Sequence, residues 1–212
     1  MFTGLVQAVG RVMSAHRVSD GGMSLVLVTP AWTACPEPGD SIAVDGCCLT
    51  VVRASEHEPG SFQLAFDLVQ QTLDRTTLGH CQEGVSVNLE RAATPQTLLG
   101  GHLVQGHVDG VGEIQMVRKQ PGDVRLSIEV PQDLVELIVP QGSVTVAGVS
   151  LTVAEVSGQS FQVALVPTTL DQTTLGTLAE GTCVNIESDI LLRSVRHLLA
   201  ARGLLGDVVI ES

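Results

Sequence analysis

The sequence predicts an all-β protein made of two tandem homologous barrels, followed by one C-terminal α-helix. The first observation is an internal repeat, in which residues 45–51 return as 147–153 and residues 72–79 return as 169–176. The second is a succession of short segments that alternate apolar and polar residues between turn residues, a pattern typical of small closed barrels. The third is an apolar spacing of three and four residues after residue 189, which indicates an amphipathic helix.

The repeat divides the chain into domains. A third block, residues 87–90, returns as 184–187, so the order of the blocks is kept. Two copies are too few for a solenoid, whereas roughly 100 residues per copy can form a separate core. We therefore expect a first barrel over 1–101, a second over 102–188 and a terminal helix over 189–203, with any site present in two modified forms.

The first copy contains the signals of a small barrel. Alternation predicts strands at 4–12, 23–28, 62–68 and 85–89, and a hairpin at 41–52. The turn pair Asp45-Gly46 is a strong hairpin signal between such strands, and Gly148 marks the same turn in the second copy. Residues 72–78 are less strand-like and predict a short helix or a turn.

The second copy opens near Leu103, where residues 105–112 align with residues 3–10. The join between the copies runs from Thr94 to Gly101 and is short, so we expect the two barrels to lie close together.

The terminal helix has no counterpart in the first copy. Its apolar positions are Ile190, Leu191, Val195, Leu198 and Leu199. Ser188 or Asp189 can cap its start, and Gly203 can end it. The pattern leaves two alternatives for the apolar face, which are a subunit interface and packing against its own barrel.

Composition excludes several classes of function. The chain has 212 residues with 44% apolar and only 2% aromatic content, so we expect cores of Val, Leu, Ile and Ala. A net charge of −12 argues against nucleic-acid binding, which depends on Lys and Arg. No apolar run approaches the ~20 residues of a membrane span, and we expect neither a signal peptide nor a membrane partner. Five scattered cysteines favour a reducing cytoplasm.

Cys48 and Ser150 occupy the same position of the repeated hairpin, and each is followed by Leu-Thr. A lone cysteine is often a small buried residue, so packing and nucleophilic chemistry remain alternatives for Cys48. The recurrence of a small nucleophile in both copies favours a functional position. Two further pairs of threonines recur in both copies, Thr50 with Thr152 and Thr72 with Thr169. Strand propensity also explains the first pair, and helix capping also explains the second.

His102 and His107 lie in a glycine-rich segment, residues 100–107. Their spacing differs from the i, i+4 spacing of a helical metal site and no carboxylate or cysteine cluster accompanies them, so we predict no metal. A histidine with a pKa of roughly 6.5 can transfer protons at neutral pH. Asp189 has Ala92 as its counterpart, so this acid occurs in one copy only, and a helix N-cap is its simplest role.

At these residues the chain resembles the riboflavin synthase family, alpha-chain type, over essentially its whole length. The motifs that carry the resemblance are residues 1–4, 46–51, 66–68, 72–73, 88–92, 100–102, 106–108, 148–153, 167, 169–170 and 184–187. Each motif is weak alone, and together in this order they are specific.

The resemblance implies that each copy is a six-stranded antiparallel Greek-key barrel and that the C-terminal helices associate three subunits. The implied reaction is a dismutation of two molecules of 6,7-dimethyl-8-ribityllumazine. One molecule donates a four-carbon unit to the other, which gives riboflavin and 5-amino-6-ribitylaminouracil without a metal or redox cofactor. Whether lumazine synthase associates with the protein stays open.

The two substrates are identical but play different roles, so the two pockets should be alike in shape and different in chemistry. The resemblance places the active site between the first barrel of one subunit and the second barrel of a neighbour. The catalytic residues that it implies are Cys48, His107, Ser150, Thr152 and Asp189. The substrate-binding residues that it implies are Phe2, Gly4, Leu5, Val6, Ser41, Cys48, Leu49, Thr50, Asp67, Leu68, Val69, Gln70, Gln71, Thr72, Gly106, His107, Val108, Gln141, Ser150, Leu151, Thr152, Ala164, Leu165, Val166, Pro167, Thr168 and Thr169.

Ala147 departs from the family, which usually has Asp before this glycine, whereas Asp45 keeps the acid in the first copy. The rate falls if that acid orients a catalytic group and is unchanged if it serves only the turn. The alternative function is that of a lumazine-binding antenna protein, which shares the duplicated fold and holds one chromophore without chemistry. The presence of Cys48, His107 and Asp189 favours the enzyme.

Overall fold

The computed structural model describes residues 1–19, 21–30, 32, 34–120 and 123–204. They form two closed antiparallel barrels of six strands each and a C-terminal helix, which confirms the predicted fold class. None of the helices within these residues combines the length and the apolar character that crossing a membrane requires.

The first barrel has a Greek-key connectivity, because its strands close in the order β1-β2-β5-β4-β3-β6. Its six strands are β1 (Ala8–Arg17), β2 (Met23–Pro30), β3 (Ser41–Val44), β4 (Cys47–Glu58), β5 (Ser61–Leu68) and β6 (Ser86–Arg91). The predicted short helix is present as α1 (Gln70–Arg75), followed by a 3₁₀ turn over Thr77–His80.

The second barrel repeats this order as β7-β8-β11-β10-β9-β12 around the closed ring. Its strands are β7 (Gly110–Gln120), β8 (Asp123–Glu129), β9 (Ser143–Val146), β10 (Val149–Ser157), β11 (Ser160–Leu165) and β12 (Cys183–Ser188). Its helices are α2 (Gln132–Val135) and α3 (Pro167–Gln172), and a 3₁₀ turn over Thr174–Thr177 follows α3. The terminal helix is α4 (Ile190–Ala201).

Each barrel has a separate aliphatic core, as the composition predicts, with one large aromatic ring at its centre. Phe66 in β5 and Phe161 in β11 are both fully buried. Leu64 and Val163, in the same two strands, are also fully buried. The sequence repeat aligns Phe66 with Val163 and Leu64 with Phe161, so the bulky residue exchanges place with an aliphatic one. This exchange keeps the total core volume similar, which well-packed barrels tolerate.

The segment before each barrel crosses to the other barrel, so the predicted strand at 4–12 is wrong in its first half. Phe2 forms an antiparallel bridge with Val104, with N–H···O distances of 2.7 and 3.2 Å. Val6 then packs against the second core and Val108 against the first. Gly4 has a φ of 74°, a left-handed conformation that interrupts a strand. Strand β1 consequently begins only at Ala8.

The two repeated hairpin turns touch each other between the barrels. Asp45 and Gly46 have φ values of 43° and 79°, and Ala147 and Gly148 have 46° and 80°. Positive φ at both central residues is the requirement of a type I′ turn, which confirms the predicted hairpins. A Cβ on Gly46 would lie 2.8 Å from the Gly148 nitrogen. Glycine is needed at this position for close approach as well as for the turn.

Helix α4 begins at the predicted cap, since the Asp189 side chain accepts a hydrogen bond of 2.8 Å from the Leu191 amide. The apolar residues Leu191, Val195 and Leu198 are more than half exposed in the single chain. Ion pairs instead join the helix to the second barrel, through Arg193 with Asp109 and Arg196 with Glu136. In the single chain, the apolar face of α4 therefore does not pack against its own barrel.

Candidate active site

The hairpin of each barrel presents one small nucleophile at its surface. Strand alternation turns Cys47 into the core and leaves Cys48 half-buried at the surface, while Ser150 occupies the equivalent half-buried place in β10. Burial raises the pKa of Cys47 to about 12, with smaller contributions from Cys48, Glu187 and Asp45, so the Cys47 thiol stays protonated. Of these two adjacent cysteines, Cys48 is the more accessible one.

Cys48 contacts the segment that carries His107. The Cys48 amide donates a hydrogen bond of 2.8 Å to the Gly106 carbonyl. Gly106 has a φ of 79°, and a Cβ added there would lie 2.6 Å from the Cys48 Cβ. The next residue, His107, is exposed. The structure therefore brings Cys48 next to the segment that carries His107, and the catalytic roles of these two residues stay predictions.

We call the segment that precedes each barrel its leading segment. Ser150 has the mirror-image contact with the leading segment of the first barrel. Its amide donates a hydrogen bond of 2.8 Å to the Gly4 carbonyl. A Cβ added at Gly101 would lie 3.0 Å from the Ser150 Oγ, so the chain passes close to this hydroxyl. The two half-sites thus share one backbone plan, in which each hairpin binds the leading segment of the opposite repeat.

The half-sites differ in their chemistry because of His102. The His102 Nδ1 lies 2.7 Å from the Ser150 Oγ, and its Nε2 lies 3.3 Å from the Thr145 Oγ1. Residue 102 precedes the point where the second repeat begins to align with Met1, so Cys48 has no equivalent imidazole. The sequence left proton transfer open between His102 and His107, and the resemblance named only His107 as catalytic. The structure shows that His102 is the ring bonded to Ser150.

Burial lowers the pKa of His102 below its ordinary value of 6.5, and the Asp189 carboxylate partly opposes this shift. The ring is therefore neutral at pH 7, which leaves one nitrogen able to accept a proton. In the tautomer that carries the proton on Nε2, Thr145 accepts from the ring and Nδ1 accepts from the Ser150 hydroxyl. Asp189 contributes to the electrostatics of this half-site in addition to capping α4.

Two buried glutamates hold the leading segments in place. Glu90 accepts hydrogen bonds from the Thr3 and Gly4 amides at 2.7 and 3.0 Å. Glu187 accepts from the Gln105 and Gly106 amides at 2.7 and 2.9 Å. Burial raises the pKa of Glu187 to about 7, and the two amide bonds oppose it. Both glutamates belong to the repeated Asn-x-Glu block of the sequence. Their role could not be predicted from it, because it depends on the segments that cross between the barrels.

The predicted substrate-binding residues include exposed, partly buried and buried ones. In each barrel a strand end runs into a short helix, and Val69 and Val166 stand at these equivalent places with 65% and 60% exposure. Exposed apolar side chains beside polar ones suit a flat ring that carries a hydroxylated chain. Of the predicted threonines, Thr50 and Thr152 are exposed on the strands of the two hairpins.

The buried set can offer a ligand only backbone atoms or a shaped floor. Its apolar side chains are those of Phe2, Leu49, Leu68, Leu151 and Leu165. Gly4 and Gly106 are also buried. Ser41 is partly buried at the start of β3, opposite Thr50 in the hairpin. Gln141 is exposed and has a φ of 64°, which makes it one of the few non-glycine residues in the left-handed region.

Asp45 shows what the acid does in the first copy of the turn that Ala147 occupies in the second copy. Both turns lie at the contact between the barrels. Asp45 Oδ1 accepts a hydrogen bond of 2.7 Å from the Asn88 amide. Asn88 also donates to the Ala147 carbonyl at 2.8 Å, and Asn185 donates to the Asp45 carbonyl at 2.9 Å. The two Asn side-chain bonds join the barrels, whereas the bond to the Asp45 carboxylate stays within the first barrel and supports a role for this acid in the turn. Ala147 keeps the left-handed turn without this acid, and its effect on the rate stays a prediction.

Asp45 lines a cavity of about 400 Å³ between the barrels, together with Thr77, Cys81 and Asn185. Burial raises the pKa of Asp45 from 3.8 to about 7, and the Asn88 amide opposes the shift. The folded state thus binds more protons than the unfolded state between these values. The stabilisation that the protonated Asp45 carboxyl contributes is therefore complete below pH 4 and is lost as the pH rises through 7.

We expect Asp45→Asn to stabilise the protein at pH 8 by about 2 kcal/mol relative to wild type and to have little effect at pH 4. This free energy is smaller than the full pKa shift of Asp45 would give, because Asp45 is partly exposed along the cavity and solvent screens its charge. Asn tolerates the left-handed turn and keeps an acceptor for the Asn88 amide. Urea unfolding at both pH values and at one protein concentration measures the difference.

Asp171→Asn is the matched control, because Asp171 is exposed on α3. As a substitution of an exposed residue, it should leave the free energy of unfolding within about 0.5 kcal/mol of wild type. A variant of Asp45 whose stability tracks the wild type from pH 4 to pH 8 would contradict the burial of a titrating carboxyl.

Comparison with known proteins agrees with this geometry. The family model of the lumazine binding domain matches residues 3–92 and 105–189. The chain is 42% identical over 208 residues to the riboflavin synthase of Mycobacterium bovis, which covers 96% of this chain and all of the relative.

Solved structures of LumP are also similar to this chain. The structure of LumP complexed with riboflavin has a TM-score of 0.75 at 30% identity, covering 89% of this chain and 99% of LumP. The complex of LumP with 6,7-dimethyl-8-(1'-D-ribityl) lumazine has a TM-score of 0.74 at 27% identity, with the same coverage. Two tandem matches to the domain, together with a relative matched along its whole length, establish the family. The chain belongs to the riboflavin synthase family of proteins with two lumazine binding domains.

Proposed function

We propose that the protein is a riboflavin synthase, which transfers a four-carbon unit between two molecules of 6,7-dimethyl-8-ribityllumazine. The observation that carries the proposal is the pair of half-sites with one backbone plan and two chemistries. Identical substrates can bind to similar surfaces, while Cys48 on one and Ser150 with His102 on the other treat them differently. The products are riboflavin and 5-amino-6-ribitylaminouracil.

The Ser150–His102 pair suits the half-reaction that requires a base. A neutral imidazole that accepts the Ser150 proton makes this hydroxyl a stronger nucleophile or lets it relay a proton from the acidic 7-methyl group. Thr145 on the far ring nitrogen fixes the orientation of the imidazole. The proposal assigns the proton-abstracting role to the second barrel.

Cys48 suits the other half-reaction. Its side chain is half-buried beside Gly106, and the exposed His107 follows directly in the chain. A thiol is intrinsically nucleophilic even without a paired base, so it does not need an equivalent of His102. Thr152 and Asp189 belong to the side of Ser150 and contribute polar groups there.

The assembly that we propose is a homotrimer in which the first barrel of one subunit faces the second barrel of its neighbour. Such an arrangement stacks two flat rings, and holding them together supplies much of the acceleration. The exposed apolar face of α4 supports an association through this helix. We also propose a cytoplasmic location, which the five unpaired cysteines support.

A second candidate is a chromophore carrier without chemistry. The similarity to LumP favours it, because the solved LumP structures contain riboflavin or a lumazine. Holding one ring requires no base beside a hydroxyl, and the Ser150–His102 pair therefore favours the enzyme.

The experiment that tests the proposal is an assay with the lumazine as sole substrate, in the presence of EDTA. We expect riboflavin to appear in the absorbance spectrum without any added cofactor. Tight binding of the lumazine with no product over hours would assign the carrier function instead. A rate abolished by EDTA would contradict the cofactor-free mechanism.

A further inference from the structure

The segment that carries His107 is bound at both ends by residues outside the first barrel. At one end, the Gln105 and Gly106 amides donate to Glu187 at 2.7 and 2.9 Å. At the other end, Asp109 Oδ2 accepts from the Ser188 amide at 2.8 Å and from its hydroxyl at 2.7 Å. His107 lies between these two anchors and is exposed.

Arg193 of α4 connects the two ends. Its Nη1 donates to Asp109 Oδ1, and its Nη2 donates to Gln105 Oε1 at 3.2 Å. The Asp109 and Arg193 side chains are 12% and 28% exposed, so solvent screens this pair less than a surface ion pair. The planar guanidinium can reach both partners at once because its donors form a rigid fork.

The first repeat lacks this connection. The residue aligned with Asp109 is Gln7, whose side chain accepts only from the Arg91 amide, at 3.1 Å, among the described contacts. No helix follows β6 to provide an arginine, since α4 has no counterpart there. The added guanidinium is therefore a feature of the one leading segment that carries a histidine; Leu5 occupies the corresponding place in the first repeat.

We propose that Arg193 is a positioning residue, which fixes His107 beside Cys48 by binding both ends of the segment from Gln105 to Asp109. The inference rests on the proposed function and deepens it. Arg193 does not touch the reacting atoms and acts through the backbone on either side of His107.

Arg196→Gln is the matched control for Arg193→Gln in the full-length chain. Arg196 lies one turn further along α4 and pairs with Glu136 at the end of α2, away from the His107 segment. Both variants thus remove one ion pair between the helix and the second barrel, and only one of them releases Gln105 and Asp109.

Three measurements test the inference: kcat and KM for the lumazine, sedimentation, and the NMR signals of the His107 ring. We expect Arg193→Gln to lower kcat about ten- to a hundredfold, as a small misplacement of a reacting group does. KM, assembly and the signals of the other histidines should stay close to wild type, while the His107 signals shift. Arg196→Gln should keep kcat within about twofold of wild type and leave the His107 signals in place. Arg193→Lys should be intermediate, since an ammonium can bind Asp109 without the fork.

Equal kcat values and equal His107 signals in the Arg193→Gln and Arg196→Gln proteins would overturn the inference. So would dissociation of Arg193→Gln into monomers while Arg196→Gln stays assembled, because the role would then be in assembly. A wild-type protein that makes no riboflavin would refute the proposed function, whereas the His107 signals of the two variants would still decide the positioning role.

Discussion

Replacing His102 with Gln is expected to lower kcat for riboflavin formation about a hundredfold, with a much smaller change in KM. The expected size follows from the usual contribution of a general base. Gln cannot accept the proton of Ser150, whose Oγ lies 2.7 Å from the ring. The loss should appear in kcat because the interaction strengthens as the proton is transferred.

The pH profile separates this chemical role from packing. Burial places the pKa of His102 below 6.5, so the wild-type rate should fall as the pH drops through that range and the ring becomes charged. The His102→Gln protein should lack this acidic limb.

Ser150→Ala should cause a similar loss on its own, and combining it with His102→Gln should add little, because the two groups act as a unit. Fully additive losses, or an acidic limb that survives in the His102→Gln protein, would show that His102 only fills space.

Placing charge on the apolar face of α4 is expected to separate the subunits and to abolish most activity. Leu191 and Leu198 are 62% and 61% exposed in the single chain, so Glu at both positions should leave the barrels intact. In an assembly the same side chains would be buried, and unpaired carboxylates there are costly. In the proposed trimer the two rings are stacked across subunits, so we expect monomers in sedimentation and a riboflavin rate reduced more than about a hundredfold.

The doubly substituted protein should still bind one lumazine per exposed half-site with an affinity near that of wild type, as measured by fluorescence. Leu98→Glu is the control for an exposed leucine outside the helix, since Leu98 is 88% exposed in the join between the barrels. It should keep both assembly and rate. A fully active monomer would place the complete active site within one chain and exclude the inter-subunit arrangement.

The barrels, the hairpins and the terminal helix could be predicted because each depends on local chemistry. Alternation defines the strands, the Asp45-Gly46 pair defines a turn, and the three- and four-residue spacing defines α4. The repeat strengthens the prediction of the strands and hairpins, since each of them occurs in both copies. The predicted start of β1 at residue 4 was wrong, because Glu90 and the left-handed Gly4 draw residues 4–7 out of the barrel.

The candidate residues on the hairpins were also visible locally. Cys48 and Ser150 stand out because the repeat compares them directly. His102 was visible in the same glycine-rich stretch as His107, and no local pattern could choose between them, because the choice depends on which ring meets Ser150 across 48 residues of chain. Arg193 reads only as the polar side of an amphipathic helix until its distance to Asp109 is known.

The sequence by itself determined two barrels, their repeated hairpins, the small nucleophile on each and an unpartnered helix. Only the tertiary structure decided which groups surround each nucleophile, because barrel closure and the exchange of the leading segments bring residues from opposite repeats together. Gly4 meets Ser150 and Gly106 meets Cys48 through backbone hydrogen bonds that carry no residue signature. Periodicity reports which face of an element is buried, whereas the partner across that face is set by how the whole chain packs.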